Sequence, residues 1–280
     1  MTTKRKGDSV RQKLTNLSAK LQVPYPNIET IFAIERLVAR LVADKELSKR
    51  LVFKGGYVGL KVYESPRYTV DLDALLVRSD LDATLARTKE NAEKDLDDGV
   101  WFRFESQLDL ATQGEYGGVR QVYRVGLGEV LKNIKKAQII NFDIGIGDPI
   151  TPGPQKVKTS SLIQENDEVT WSVYPVETIV AEKLHAMVSH GDQNSRSKDV
   201  HDLALFLPKA EGKVLREAIQ KCFKFRDTDV PPRFSDVLKR LDTTMLERGW
   251  ASATASIPGV ASFRSTFAEM LRRISEWEDS

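Results

Sequence analysis

The order of the sequence predicts an α/β fold, more narrowly an α+β arrangement in which a mixed sheet lies between N-terminal helices and a C-terminal helical region. Three observations carry this. Residues 8–48 repeat apolar side chains at helical spacing. The middle of the chain holds apolar, β-branched runs punctuated by glycine and proline. From Val176 onward the helical pattern returns almost without interruption. The expected divisions are residues 1–50 for the N-terminal helices, 51–174 for the α/β core, and 175–280 for a helical region that completes the active site.

The elements follow in order. Val10, Leu14, Leu17 and Leu21 mark a helix over 8–22. A stronger one is expected over 27–48, capped by Asn27, with Ile31, Ile34, Leu37 and Leu41 as its stripe. LVFKGG is a short strand ended by glycines, and TVDLDALLV has the apolar, β-branched content of another. Residues 80–98 read as a helix with Leu81, Leu85 and Ala92 inward. VWFRFES, VRQVYRVGLGEV and KAQIINFDIGIGD read as three strands. PITPGP is a loop, WSVYP a short extended piece, and Asp148 before Pro149 a turn former. Helices are expected over 176–189, 199–207, 213–224, 234–248 and 260–278, with FRDTDVPPR as a break.

Gross composition removes several classes. The chain has 280 residues, enough for one large domain or two small ones. A net charge of +2 does not by itself argue for nucleic-acid binding, so local clusters would have to. A single cysteine, Cys222, excludes an internal disulfide and a cysteine-rich metal site, and three histidines support zinc poorly. The basic N-terminus has no apolar run behind it, so no secretory signal is expected. No stretch approaches the roughly 20 apolar residues of a membrane helix. The cytoplasm is the expected compartment.

Asp71 and Asp73 interrupt an apolar strand. Residues two apart in a strand face one side, so the two carboxylates point together. Unpaired burial would cost several kcal/mol, on the order of the penalties for uncompensated charge; a divalent cation removes that cost. All-oxygen ligands suit magnesium, which commonly adds substrate phosphates to a few carboxylates. Asp143 interrupts a second apolar strand. If the strands are neighbours, three carboxylates converge on a site fit for in-line displacement at phosphorus. Gly55 and Gly56 lie upstream, where backbone amides could approach a phosphate. A lone DxD is more often surface acids or a cap; its combination with the glycines shifts the balance.

Lys183 falls inside the apolar stripe of Val176, Ile179, Val180, Leu184 and Met187. It reads either as a snorkelling lysine at the core edge or as a cation aimed at substrate phosphates. Arg196 and Lys198 precede a helix that Ser195 or Ser197 can cap, a natural anion site; Asp199 and Asp202 lie three apart on one face of it. Asp199 also reads as ordinary first-turn charge compensation. His185, His190 and His201 read as surface or packing residues. Lys221, Lys224, Arg226, Arg233, Lys239 and Arg240 offer basic positions for a polyanion, though such a run is more often a solvated face.

Taken together, KGGYVGLKVY, RYTVDLDALL, IINFDIGIGDPITPGP, YPVETIVAEKLHAMV and NSRSKDVHDLALF resemble the AbiEii/AbiGii nucleotidyltransferase toxin family, of the DNA polymerase β-type nucleotidyltransferase superfamily. The resemblance runs in order over most of the chain. It implies a polymerase β-type core and an enzyme that moves a nucleotide from an NTP to an acceptor with Mg2+. It also implies a toxin with a cognate antitoxin encoded nearby, and an acceptor such as the 3′ end of tRNA. By position it makes Asp71, Asp73 and Asp143 metal ligands, Gly55 and Gly56 a phosphate cradle, Lys183 a triphosphate contact and Asp199 a further active-site acid. Lys54, Arg67, Thr69, Arg196 and Lys198 join as phosphate- or substrate-binding positions. One departure stands out: Tyr57 follows the glycines where the family often has Ser or Thr. Nucleotidylation of a protein, and a catalytically weak NTP-binding regulator, are the alternative expectations.

Overall fold

The computed structural model describes residues 2–77, 80–110, 117–164 and 166–280. Helices α1 (Thr3–Leu21), α2 (Tyr25–Ala43) and α3 (Lys45–Arg50) open the chain. Strand β1 (Leu51–Lys54), helix α4 (Gly55–Lys61), strand β2 (Asp71–Leu76) and helix α5 (Leu81–Ala92) follow. Then come β3 (Val100–Asp109), β4 (Gly118–Leu127), β5 (Gln138–Ile146), β6 (Gln155–Ser160) and β7 (Glu168–Val173). The rest is α6 (Val176–His190), α7 (Ser197–Phe206), α8 (Gly212–Phe225), α9 (Phe234–Leu238), α10 (Thr244–Ala253) and α11 (Phe263–Glu278).

The chain divides into two compact units. The first comprises Met1–Val62, Tyr68–Gly147 and Lys156–Val173; the second comprises Tyr63–Arg67, Asp148–Gln155 and Tyr174–Ser280. In the first, seven strands form one mixed sheet in the order β3-β4-β5-β2-β1-β7-β6. β2 runs parallel to β5 and antiparallel to β1, while β1 runs parallel to β7. One sheet face is apolar: Phe53, Leu72, Ala74, Phe142, Ile144, Tyr123 and Trp171 are all buried. Phe53 meets Trp171 edge-on with ring centroids 5.4 Å apart. Leu37 and Leu41 of α2 and Leu85 of α5 belong to the same unit's core.

The second unit is helical. Leu184, Leu203, Phe206, Leu215, Phe223, Leu238, Met270 and Ile274 are buried in its core. Glu177 is buried as well, and its Oε1 accepts the backbone N–H of Glu211, satisfying a donor at the start of α8.

Several boundaries differ from the sequence expectation for local reasons. α2 starts two residues before Asn27, with Pro24 as the preceding residue, so Asn27 is helical and not a cap. The expected 27–48 helix is interrupted at Asp44, whose carboxylate accepts the backbone N–H groups of Glu46 and Leu47 and caps α3. α5 stops at Ala92, short of 98. Asp98 instead accepts from Arg36 and Arg40, the latter with a side chain fully out of solvent. Gln155–Ser160, absent from the sequence reading, is the sheet-edge strand β6. Neither Ser195 nor Ser197 caps α7, where Arg196 holds the cap position. The expected 234–248 helix is two short ones, α9 and α10.

Candidate active site

The first unit carries the carboxylates. β2 has Lys54 of β1 on one side and Asp143 of β5 on the other, both in register with Asp73; Arg120 of β4 is in register with Asp143. Directly paired residues point to the same side of a sheet. The result is one row across four adjacent strands: Lys54, Asp73, Asp143, Arg120, with the two negative charges inside the two positive ones. The apolar residues of the same strands, Phe53, Leu72, Ala74, Phe142 and Ile144, take the other face into the core. Alternation of side chains therefore aims all four charges away from that core.

Asp71 lies one step along the same face. Its register partner is Asn141, whose Nδ2 donates to Asp71 Oδ1 at 2.9 Å. Thr69 braces the start of this strand: its hydroxyl donates to the Asp71 carbonyl at 3.3 Å and accepts the Asp71 N–H at 3.4 Å. Arg120 grips Asp143 with two parallel bonds, Nε to Oδ1 and Nη2 to Oδ2, both at 2.7 Å. The hydrogen bonding to Asp143 holds the guanidinium's pKa above its ordinary value, and the charges of Asp71 and Asp73 add to the effect. All three carboxylates thus act on one cation.

The glycine turn is fixed by the same carboxylate. Gly55 has φ of +75°, and a Cβ there would lie 2.0 Å from Asp73 Oδ2. Only glycine permits both the conformation and the approach. Gly56 is the second residue of α4. Tyr57, at the departure from the family pattern, is buried and packs on Trp171 with centroids 5.5 Å apart. Burial raises its phenol pKa well above 10.0, so it stays a neutral core residue and offers no hydroxyl in place of Ser or Thr.

A hard divalent cation matches the oxygen donors of Asp71 and Asp73, and the absent Cβ at Gly55 makes room for the Asp73 carboxylate itself. Among the described residues, however, no three His, Cys, Asp or Glu side chains are gathered as a ready metal cage. The expected third ligand, Asp143, has both its oxygens on Arg120.

The second unit carries the lysine. Lys183 Nζ contacts Asp199 Oδ1 at 2.5 Å and Asp202 Oδ2 at 2.8 Å. Arg67 donates to both oxygens of Asp202, at 3.2 and 3.0 Å, and Arg196 Nε donates to Asp199 Oδ2 at 2.6 Å. Three cationic side chains therefore enclose two buried carboxylates. Burial alone would discharge each group, but the opposite charges outweigh it: Lys183 is held above its ordinary pKa and Asp199 below, and Asp202 is held well below. Helical spacing explains the assembly, since Asp199 and Asp202 share one face of α7.

These contacts refine the sequence reading. Lys183 is neither snorkelling nor loose; it is clamped by two carboxylates with 16% of its side chain exposed. Asp199 has no exposed surface and is shared between two cations, Lys183 and Arg196. Arg67 spends its guanidinium on Asp202. Arg196 and Lys198 are on the exposed surface at the start of α7. Asp148 is not merely a turn former, because it accepts from Arg226 Nη2 at 3.1 Å. Buried His185 packs on Phe223 with centroids 4.9 Å apart, near Thr228 and Ser189. Of the basic positions in this unit, Arg226 and Arg233 are in ion pairs with acids, as is Lys221 with Glu217. Lys224, Lys239 and Arg240 are exposed. Arg120, Asn141 and Asp202 are the residues the sequence reading left out of the site. Asp202 was visible as a face-mate of Asp199, whereas Arg120 and Asn141 are found only through strand register.

Comparison with known proteins bears on this arrangement. Across solved structures the chain is similar to MenT4, a nucleotidyltransferase toxin from Mycobacterium tuberculosis. The TM-score is 0.54 at 16% identity, covering 96% of this chain and 98% of that one. It is also similar to JHP933 from Helicobacter pylori, with a TM-score of 0.52 at 15% identity, covering 92% and 94%. At such identities the likeness concerns the fold. No curated protein sequence matches the chain. Among the described residues no helix is long and apolar enough to cross a membrane. The family model described as nucleotidyl transferase AbiEii toxin, type IV TA system, matches residues 36–273, which takes in both the aspartate row and the lysine cluster. A match over that span makes the chain a member of the AbiEii family of nucleotidyltransferase toxins of type IV toxin–antitoxin systems.

Proposed function

We propose that this toxin transfers a nucleotide from an NTP to an acceptor hydroxyl with Mg2+, and that the acceptor is the 3′ end of tRNA. The observation that carries the reading is the pair Asp71 and Asp73 on one face of β2, with Gly55 shaped around the Asp73 carboxylate. A bound divalent cation would supply charge neutralisation at the α-phosphate and the departing pyrophosphate. Asp71, oriented by Asn141, and Asp73 would hold it. The backbone of Gly55 and Gly56, with Lys54, would receive phosphate oxygens. In the second unit, Lys183, held in place by Asp199, and Arg196 and Lys198 would offer positive charge suited to phosphate oxygens. In the transfer the acceptor oxygen bonds to the α-phosphorus, the bond from that phosphorus to the bridging oxygen breaks, pyrophosphate leaves with the electron pair, and the hydroxyl proton passes to solvent.

Lys224, Lys239 and Arg240, exposed on the helical unit, favour a polyanionic acceptor. The burial of Tyr57 favours a second reading, weak NTP binding without efficient transfer, because the phosphate loses a side-chain hydroxyl. Family membership implies a cognate antitoxin as partner, which we expect to be encoded nearby.

The test is to incubate the purified protein with each radiolabelled NTP, magnesium and total tRNA, with Asp71→Ala as control. Label entering RNA with the native protein and not with the variant supports the proposal. Label on a polypeptide replaces tRNA by a protein acceptor. An NTP-dependent rise in melting temperature without pyrophosphate release supports the second reading.

A further inference from the structure

Arg120 has no part in the roles set out above, yet it is the side chain most intimately tied to the aspartate row. It takes both oxygens of Asp143 at 2.7 Å in the parallel, planar geometry a guanidinium and a carboxylate share. Asp143 and Asp73 are register partners on parallel strands, so two carboxylates stand side by side about 5 Å apart at the backbone, the spacing of neighbouring strands. Their repulsion needs a cation. In a two-cation site that would be a second metal ion shared by both; here a guanidinium already stands on the outer one.

Arginine suits this task. It stays protonated at any working pH, and its fork geometry fixes the carboxylate in one orientation. Its place is also set by the fold: Arg120 is in register with Asp143, while Val119, Gln121 and Tyr123 of the same strand are buried on the opposite face. With Lys54 at the other end, two cationic side chains flank three carboxylates. The row retains a deficit that one divalent cation more than fills.

We propose that Arg120 serves as the fixed cation of the site, standing on Asp143 where a second divalent ion would otherwise bind, so that the free protein takes up a single metal ion at Asp71 and Asp73. This rests on the reading that Asp71 and Asp73 hold a divalent cation. Arg120 is a charge-balancing, positioning residue in this scheme, and its effect is on metal stoichiometry before any chemistry occurs.

The experiment is a Mn2+ titration of the full chain, without nucleotide, counting bound ions from the loss of the free-ion electron paramagnetic resonance signal. The native protein is expected to bind one ion, Arg120→Met two, and Arg120→Lys one. Asp143→Asn added to Arg120→Met is expected to return the count to one, and Asp71→Asn in the native background to abolish it. Should Arg120→Met not fold, Arg120→Gln carries the same expectation. Two ions in the native protein, or one in both the native protein and the neutral variants, would overturn the role of Arg120 and leave the Asp71–Asp73 reading standing. No ion in any of the proteins would overturn both.

Discussion

At the scale of single residues, Gly55 joins backbone conformation to site chemistry. Its φ of +75° costs a side-chain-bearing residue about 1 kcal/mol, and a Cβ would press to 2.0 Å from Asp73 Oδ2. Gly55→Ala should therefore lower stability by about 1–2 kcal/mol. It should also lower nucleotide transfer by at least about tenfold, because a 1 Å displacement of a positioned group can cost about a hundredfold. A thermal melt alongside the labelled-transfer assay checks both, and a variant with native transfer would remove Asp73 from the site. The importance of this glycine was legible in the sequence as a Gly-Gly turn before a DxD. Its cause was not, because the contact depends on β1 lying beside β2. Arg120 shows the same limit: its strand alternates polar and apolar residues as many do, and only the register with β5 gives it Asp143.

At the scale of elements, the tie between α6 and α7 makes a prediction about pH. The structure joins the two helices through Lys183 on Asp199 and Asp202. The sequence showed Lys183 on an apolar stripe and the aspartates on one helix face, but not that they meet, since helix packing leaves no local pattern. Folding holds both carboxyls below their ordinary value of 3.8 and Lys183 above 10.5. A depressed carboxyl pKa gives stability that is complete above the unfolded value and lost as pH falls through the folded one. A raised lysine pKa gives stability that is complete below the unfolded value and lost as pH rises through the folded one. Stability from this cluster should be level between about pH 5 and 9 and decline on both sides. Asp202→Asn should cost about 3 kcal/mol near neutrality, since Lys183 and Arg67 lose a buried counter-charge, and should flatten the acid-side decline. Urea melts from pH 3 to 8 measure this; an acid slope equal to that of the native protein would show that these carboxylates do not control it. The central strands and most helices were readable from periodicity. β6 was not, since QKVKTS is a polar edge strand without an apolar face.

At the scale of the molecule, the helical unit is not one continuous stretch of chain. It recruits Tyr63–Arg67 and Asp148–Gln155 in addition to Tyr174–Ser280. Each recruited segment brings a charge that the main stretch needs: Arg67 neutralises buried Asp202, and Asp148 neutralises Arg226. Tyr63 adds a hydroxyl that donates to the Tyr174 carbonyl at 2.7 Å and a ring that meets Phe206 edge-on. A fragment of residues 174–280 retains the apolar core but loses these partners. Removing one partner of a buried ion pair costs about 3–5 kcal/mol, and two such losses rival the whole stability of about 5–15 kcal/mol for a domain. The fragment is therefore expected to be helical by far-ultraviolet circular dichroism yet to melt without a cooperative transition. A fragment that melts as sharply as the full chain would show that the two recruited segments decorate this unit without holding it together, and that its charge clusters close on themselves.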